Sequence, residues 1–302
     1  MSILVVGSLN MDLVTYVNRV PKGGETINGI TFNQYCGGKG ANQAIAIGRL
    51  NGNVSMLGKV GNDSYGETLL EALKENNVES YVSKQDGVST GIATILVENN
   101  GENRIVIING ANYCVEVEDL YKYEALFDKC NIILAQLELK MEIVDELAKI
   151  AKRKNKIFIL NPAPYSHLKD ETLSSVTYLT PNETELALLS NKESIESIDE
   201  IKEACYQLLN KGVKNVIVTL GKKGALIVNE NICELVEAFK VDAVDTTAAG
   251  DCFNGALAKC LDEGKDLANA VRFANAAAAI SVTKKGAIPS LPTINEVNTL
   301  LK

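Results

Sequence analysis

Short runs of β-branched and aliphatic residues recur along the chain at Ile3 to Val6, Val54 to Leu57, Ile132 to Leu134, Ile157 to Leu160, Val216 to Thr219 and Ala225 to Val228. Between many of them stand segments whose apolar residues fall three and four apart, as in Gly66 to Asn76, Met141 to Arg153 and Ile198 to Lys211. Strands that are apolar throughout need cover on both faces, and a helix between two strands returns the chain to start a parallel neighbour. The alternation predicts an α/β fold of three layers, a mainly parallel sheet flanked by helices. At 302 residues and 46% hydrophobic content, the chain has enough apolar side chain for one large core.

A second region breaks the pattern. Thr26 to Phe32, Gly91 to Glu98 and Arg104 to Ile108 read as strands, with no helix between the last two and with turn residues at Asn99 to Asn103. These segments, within about 13–33 and 90–110, predict a small β-sheet lid on a single domain spanning residues 1–302. The C-terminal part is helical: Ala248 to Glu263 closed by Gly264, then Leu267 to Val282, then Ile294 to Leu301.

Charge and residue usage narrow the chemistry. A formal net charge of −8 argues against a nucleic-acid partner, whose backbone is held by clustered Lys and Arg. Seven scattered cysteines with no C-x-x-C pair offer neither zinc nor redox spacing, and read as reduced thiols. No basic stretch precedes Ile3 to Val6 and no apolar run reaches the length of a membrane span, so a cytoplasmic protein without membrane attachment is expected. His167 is the single histidine and there is no Trp, which removes His-centred triads and multi-His metal sites. Acid-base work falls to carboxylates.

Three segments carry chemistry. In Asp245-Thr246-Thr247-Ala248-Ala249-Gly250-Asp251, small residues lead into a helix whose first-turn N–H groups form an anion site. Asp251, inside that turn, is placed either to take a proton from an attacking hydroxyl or simply to stabilise the helix start. Gly37-Gly38-Lys39-Gly40-Ala41-Asn42-Gln43 also precedes a helix and lets backbone approach a polyol, with Asn42 offering both a donor and an acceptor. It is not a dinucleotide loop, since Gln43 stands where the third glycine belongs, and no G-x-x-x-x-G-K-[ST] occurs anywhere. After the first strand, Gly7-Ser8-Leu9-Asn10-Met11-Asp12 holds two polar side chains two residues apart, either a clamp for vicinal hydroxyls or a polar turn.

With Thr180-Pro181-Asn182-Glu183-Thr184-Glu185 and Thr219-Leu220-Gly221-Lys222-Lys223-Gly224, these motifs resemble in order the signatures of the ribokinase (PfkB) family of carbohydrate kinases, from Val5 to Pro292. The resemblance implies a phosphotransferase with an alcohol acceptor, moving the γ-phosphate of ATP to the 5-hydroxyl of D-ribose to give ribose 5-phosphate and ADP. It implies that Asn10, Asp12, Gly38, Lys39, Gly40, Ala41, Asn42 and Glu138 bind the sugar. Asp251 is then the base, with Ala248, Ala249 and Gly250 leading into the anion hole. Asn182, Thr219, Leu220, Gly221, Lys222, Lys223, Gly224 and Asn275 would contact the nucleotide, together with Gly250 and Asp251, and Glu185 would organise hydrated Mg²⁺. A K⁺ ion would be held by Asp245, Thr247, Ser281, Lys284, Gly286 and Ser290, several through main-chain carbonyls.

Read without the resemblance, Asn182 and Glu185 are two polar residues sharing a helix face, Gly221 to Gly224 a hairpin, and Lys284 to Gly286 a turn. Cys252 and Cys36 depart from the family's usual hydroxyl and apolar residues and predict thiol sensitivity. Deoxyribose, fructose and other small sugars are alternative substrates, and a non-catalytic sugar-binding protein is an alternative of another class. Apolar residues in the lid strands, with the family's habit, predict a homodimer covering the sugar site.

Overall fold

The first strand explains the layering. Ile3 and Val5 point into one core, Leu4 and Val6 into another, and all four are buried. In the computed structural model, which describes residues 2–302, these two cores lie on opposite faces of one nine-stranded sheet. Its strands are β1 (Ile3–Val6), β4 (Val54–Gly61), β5 (Glu79–Gln85), β8 (Ile132–Ala135), β9 (Ile157–Leu160), β10 (Tyr178–Leu179), β11 (Asn215–Thr219), β12 (Ala225–Val228) and β13 (Cys233–Val236). The order is β13-β12-β11-β10-β9-β8-β1-β4-β5, with β12 alone running opposite to the rest and pairing antiparallel with both β11 and β13. Helices Lys39–Arg49, Ala249–Asp262 and Leu267–Ser281 cover one face, and Met141–Arg153, Glu183–Leu189 and Ile198–Asn210 the other. The three-layer α/β fold expected from the alternation is present.

Strands β5, β10 and β13 were not anticipated. Glu79-Ser80-Tyr81-Val82-Ser83-Lys84-Gln85 is a half-exposed, polar edge strand, and β10 is only two residues long. Hydrophobic periodicity does not mark such elements.

The second sheet has the order β3-β2-β6-β7, formed by β2 (Asn10–Val17), β3 (Thr31–Gly37), β6 (Gly91–Glu98) and β7 (Asn103–Ile108). Two placements differ from the sequence expectation. The strand expected at Thr26 to Phe32 lies at Thr31–Gly37, because pairing with β2, from Asn10↔Gly37 to Tyr16↔Thr31, fixes the register. Asn10 and Asp12 stand on strand β2 rather than in a turn, so their side chains share one face of the sheet.

Helices Lys39–Arg49 and Ala249–Asp262 pack unusually closely. A Cβ on Gly255 would lie 2.7 Å from Ala46 Cβ and 2.8 Å from Gln43 O. That missing side chain brings the start of one helix against the start of the other, at the C-terminal edge of the sheet.

Candidate active site

The glycine segment is a matter of clearance. Gly38 has φ 88° and a Cβ there would sit 2.6 Å from Asn10 N, while a Cβ on Gly37 would sit 2.5 Å from Asp12 Oδ2. Only glycines let β3 enter the Lys39–Arg49 helix while passing against Asn10 and Asp12. The first turn of that helix is tied to β1: Ala41 N donates to Ser8 O at 3.0 Å and Gly40 N to Ser8 Oγ at 3.4 Å. Ala41 itself packs into the core.

Asp251 lies at the start of the Ala249–Asp262 helix and is buried. Asn42 Nδ2 donates to its Oδ2 at 2.9 Å and Gln43 Nε2 to its Oδ1 at 3.0 Å. The carboxylate is thus gripped at both oxygens by amides of the glycine segment's helix. No side chain caps the Ala249–Asp262 helix, and Ala248 precedes it at φ 59°, a left-handed conformation costly for a residue with a Cβ. A Cβ on Gly250 would meet no protein atom within 4 Å. The space above the helix start is open, and dipole and N–H groups face it.

Around Asp251 stands the polar set expected for a sugar. Glu138 is buried and accepts from Ser8 Oγ and, at 3.3 Å, from Lys39 N. Asn10 Oδ1 accepts from Asn112 Nδ2 at 2.7 Å, and Asn112 is itself fixed by Leu9 N and Leu9 O. That leaves the Asn10 amide nitrogen as the donor offered onward. Asn42 Oδ1 is buried and has no partner among the described residues. An orphaned acceptor beside a candidate base fits a ligand that brings hydroxyl donors.

Four carboxylates share this region with one ammonium. Burial alone would push the Lys39 amine down, but Asp251, Glu138, Glu185 and Asp12 outweigh it and hold the amine above its ordinary value, so Lys39 stays charged. Asp12 is raised from 3.8 to about 7, chiefly by burial, then by the charges of Glu138 and Asp251, with Lys39 opposing. Glu185 is raised by burial, against a hydrogen bond from the Asn182 N–H and the charge of Lys39.

The remaining expected residues fall in two groups. Asn182 and Glu185 cap the Glu183–Leu189 helix reciprocally, at 2.7 and 2.9 Å, and Asn182 bridges Thr219 beside it. Gly221–Lys223 form a short exposed turn between β11 and β12, whereas Leu220 packs into the core and offers only backbone outward. Asn275 Nδ2 donates to Val236 O at 2.9 Å, holding the segment after β13. In the second group, Asp245 accepts from Thr247 N at 2.9 Å, from Thr247 Oγ1 at 2.6 Å and from Gly286 N at 2.9 Å, joining two loops. Burial pushes the Asp245 carboxyl up, but these hydrogen bonds and Lys285 bring it below its usual value. The side chains of Ser281 and Ser290 bond within their own turns, to Ala278 O and Ala287 O, and Lys284 ion-pairs with Glu296 at 2.6 Å. The two serine hydroxyls act there as donors and keep their lone pairs, so Ser281 and Ser290 can turn side-chain or main-chain oxygen to an ion between the loops, and Lys284 only its main-chain oxygen.

Sequence reasoning assigned no role to Ser8, Gln43, Asn112, Gln136, Asn161 or Thr180, all buried. A signal existed for three of them: Ser8, Gln136 and Asn161 are polar residues at or just past the ends of apolar strands β1, β8 and β9, whereas Thr180 follows β10, which carries no such signal. Cys252 is fully buried, which pushes its thiol up to about 12. This contradicts the thiol sensitivity expected at that position.

Residues 1–294 match the family described as pfkB family carbohydrate kinase. The chain is 42% identical to a ribokinase of Schizosaccharomyces pombe, covering 98% of this chain and 96% of that one. It is 40% identical to a deoxyribokinase of Salmonella typhi, covering 100% and 99%. The structure of an Arabidopsis thaliana ribokinase complexed with ribose and ATP superposes with TM-score 0.92 at 35% identity, over 99% of this chain and 98% of that one.

Proposed function

The chain belongs to the pfkB family of carbohydrate kinases, and from that membership we propose that it is an ATP-dependent ribokinase. It transfers the γ-phosphate to the 5-hydroxyl of D-ribose, giving ribose 5-phosphate and ADP. The observation that carries the site assignment is the buried Asp251 carboxylate, held at both oxygens by Asn42 and Gln43 beneath an uncapped helix start.

The steps follow from the residues. Asn10, Asp12, Asn42 and Glu138, with backbone at Gly38 to Ala41, bind the sugar hydroxyls. Asp251 takes the proton from the 5-hydroxyl as its oxygen bonds to the γ-phosphorus and the bond to the ADP oxygen breaks. The Gly250 N–H at the uncapped helix start, with the Lys39 ammonium, stabilises the charge on the transferring phosphoryl group, while the Ala249 N–H is bonded to Thr246 O. Asn182, Asn275 and the segment Thr219 to Gly224 hold the nucleotide.

Among the described residues no three His, Cys, Asp or Glu side chains converge on one point. Glu185, at the start of the Glu183–Leu189 helix, would hold through water an Mg²⁺ ion that comes with the nucleotide, and the ion would supply neutralisation of phosphate charge. The Asp245, Thr247 and Gly286 junction, with main-chain oxygens of Ser281, Lys284 and Ser290, supports a K⁺ site beside the anion hole. Exposed apolar residues on the small sheet support its being a lid that pairs with a second copy in a homodimer. Cytoplasmic location belongs to the same reading; among the described residues no helix is long and apolar enough to cross a membrane.

Deoxyribose is the second reading, because the Salmonella typhi deoxyribokinase is nearly as similar as the yeast ribokinase. ADP release measured with ribose, 2-deoxyribose and fructose separates them. A higher kcat/KM for ribose is expected; a higher value for 2-deoxyribose overturns the assignment.

A further inference from the structure

Asp251 is not held by isolated contacts. Gln43 Nε2 donates to Asp251 Oδ1 at 3.0 Å and also to Asn161 Oδ1 at 3.1 Å, while Gln43 Oε1 accepts from Gln136 Nε2 at 2.7 Å. Asn161 Nδ2 in turn donates to Thr180 O at 3.3 Å. Thr180 Oγ1 donates to Asn254 Oδ1 at 2.6 Å, and Asn254 Nδ2 donates to Gly250 O at 2.8 Å, inside the turn that leads into the anion hole. Every side chain in this chain of bonds is buried.

The direction of each bond is fixed by its neighbours. Because Asn161 gives its nitrogen to a backbone carbonyl, it must turn its oxygen toward Gln43. Gln43 then faces two oxygens, one on Asn161 and one on Asp251, and an amide meets two acceptors only through its NH₂ group. Gln136 closes the arrangement by donating to the Gln43 oxygen. A flipped Gln43 would set its oxygen against the base and against Asn161 together.

We propose that Gln43 is a positioning residue for the catalytic base. Anchored by Gln136 and Asn161 at the strand ends, it holds the Asp251 carboxylate in register with the Gly250 turn. The assignment rests on Asp251 being the base. It adds that the orientation of this base is set by a residue expected to touch neither sugar nor nucleotide. Nucleophile activation depends on angle and distance, so a base freed at one oxygen loses turnover before it loses binding.

Gln43→Met keeps side-chain length and removes both donors. Loss of one hydrogen bond to a charged group predicts a fall in kcat of about tenfold to a hundredfold, with KM for ribose and for ATP each within about twofold. A purely structural role would lower thermal stability without this split. The discriminating readout is the cycle with Asp251→Asn, because a residue acting through the base has nothing left to orient in that background. Gln43→Met is expected to cause no further loss there. If Asp251→Asn is slowed at least about a hundredfold but still measurable, and Gln43→Met alone keeps wild-type kcat or costs the same factor in both backgrounds, this proposal is overturned and the base assignment stands. If Asp251→Asn keeps turnover, the base assignment fails and this proposal with it. Should Gln43→Met not yield folded enzyme, Gln136→Met carries the same test. It removes the anchor of Gln43 and is expected to lower kcat about threefold to tenfold, with the loss again vanishing on Asp251→Asn; an unchanged kcat overturns the proposal.

Discussion

At the scale of single residues, Asp12 carries the most readable consequence. Its carboxyl is raised to about 7 by burial and by Glu138 and Asp251, so near neutrality it changes from a group that can donate to one that only accepts. Ionisation as pH rises strengthens a clamp on two hydroxyls, so KM for ribose is expected to fall between about pH 6 and pH 8 while KM for ATP stays level. Asp12→Asn should flatten that profile in steady-state assays; a profile that survives the substitution removes Asp12 as its source. Between 3.8 and about 7 the folded chain keeps a proton that the unfolded chain has released. Stability therefore falls as pH rises across that window, and denaturant titrations of Asp12→Asn should show a shallower slope. Asp12→Ala should raise KM more for ribose than for 2-deoxyribose, which lacks one hydroxyl of the pair. Equal losses would take Asp12 out of recognition of the 2-hydroxyl.

At the scale of elements, the fold was largely legible because its inner strands are apolar on both faces and its helices are strongly periodic, as in Ile132–Ala135 and Met141–Arg153. The edge strand β5 and the two-residue β10 escaped, since neither carries a periodic signal. The glycine segment and the Asp251 turn were legible as motifs, but not the amides between them. Gln43, Gln136 and Asn161 come from one helix and two strand ends more than a hundred positions apart in part, and only packing joins them. The two loops joined by Asp245 and Gly286 yield a prediction of their own. A cation held there biases the turn at Ala248, already at φ 59°, so K⁺ should raise kcat at matched ionic strength relative to Tris, with substrate KM changed less. The Lys284 ammonium is engaged by Glu296, so it is expected not to stand in for a cation there. Equal activity in both buffers would falsify the cation site.

At the scale of the whole molecule, the small sheet is unfinished. Ile105, Val106, Ile107 and Ile108 of β7 are 52%, 64%, 41% and 50% exposed, and Ile30 and Phe32 add 55% and 53%. Successive residues of β7 point to opposite faces, so Val106 and Ile108 share one face with Phe32 while Ile105 and Ile107 lie on the other, and a second copy of the same sheet would cover one of these two faces. Light scattering at micromolar concentration should give a dimer, and Val106→Asp a monomer with raised KM for ribose. A wild-type monomer with full activity contradicts the lid-to-lid arrangement.

The account as a whole stands on Asp251 directing phosphate to one hydroxyl. Phosphorus NMR of the products from ribose and ATP reads this directly. The wild-type chain should give one phosphomonoester signal coupled to the two protons of C5, and Asp251→Asn should produce it at least about a hundredfold more slowly. A phosphomonoester on another carbon, or the same signal at an undiminished rate from Asp251→Asn, would contradict the mechanism.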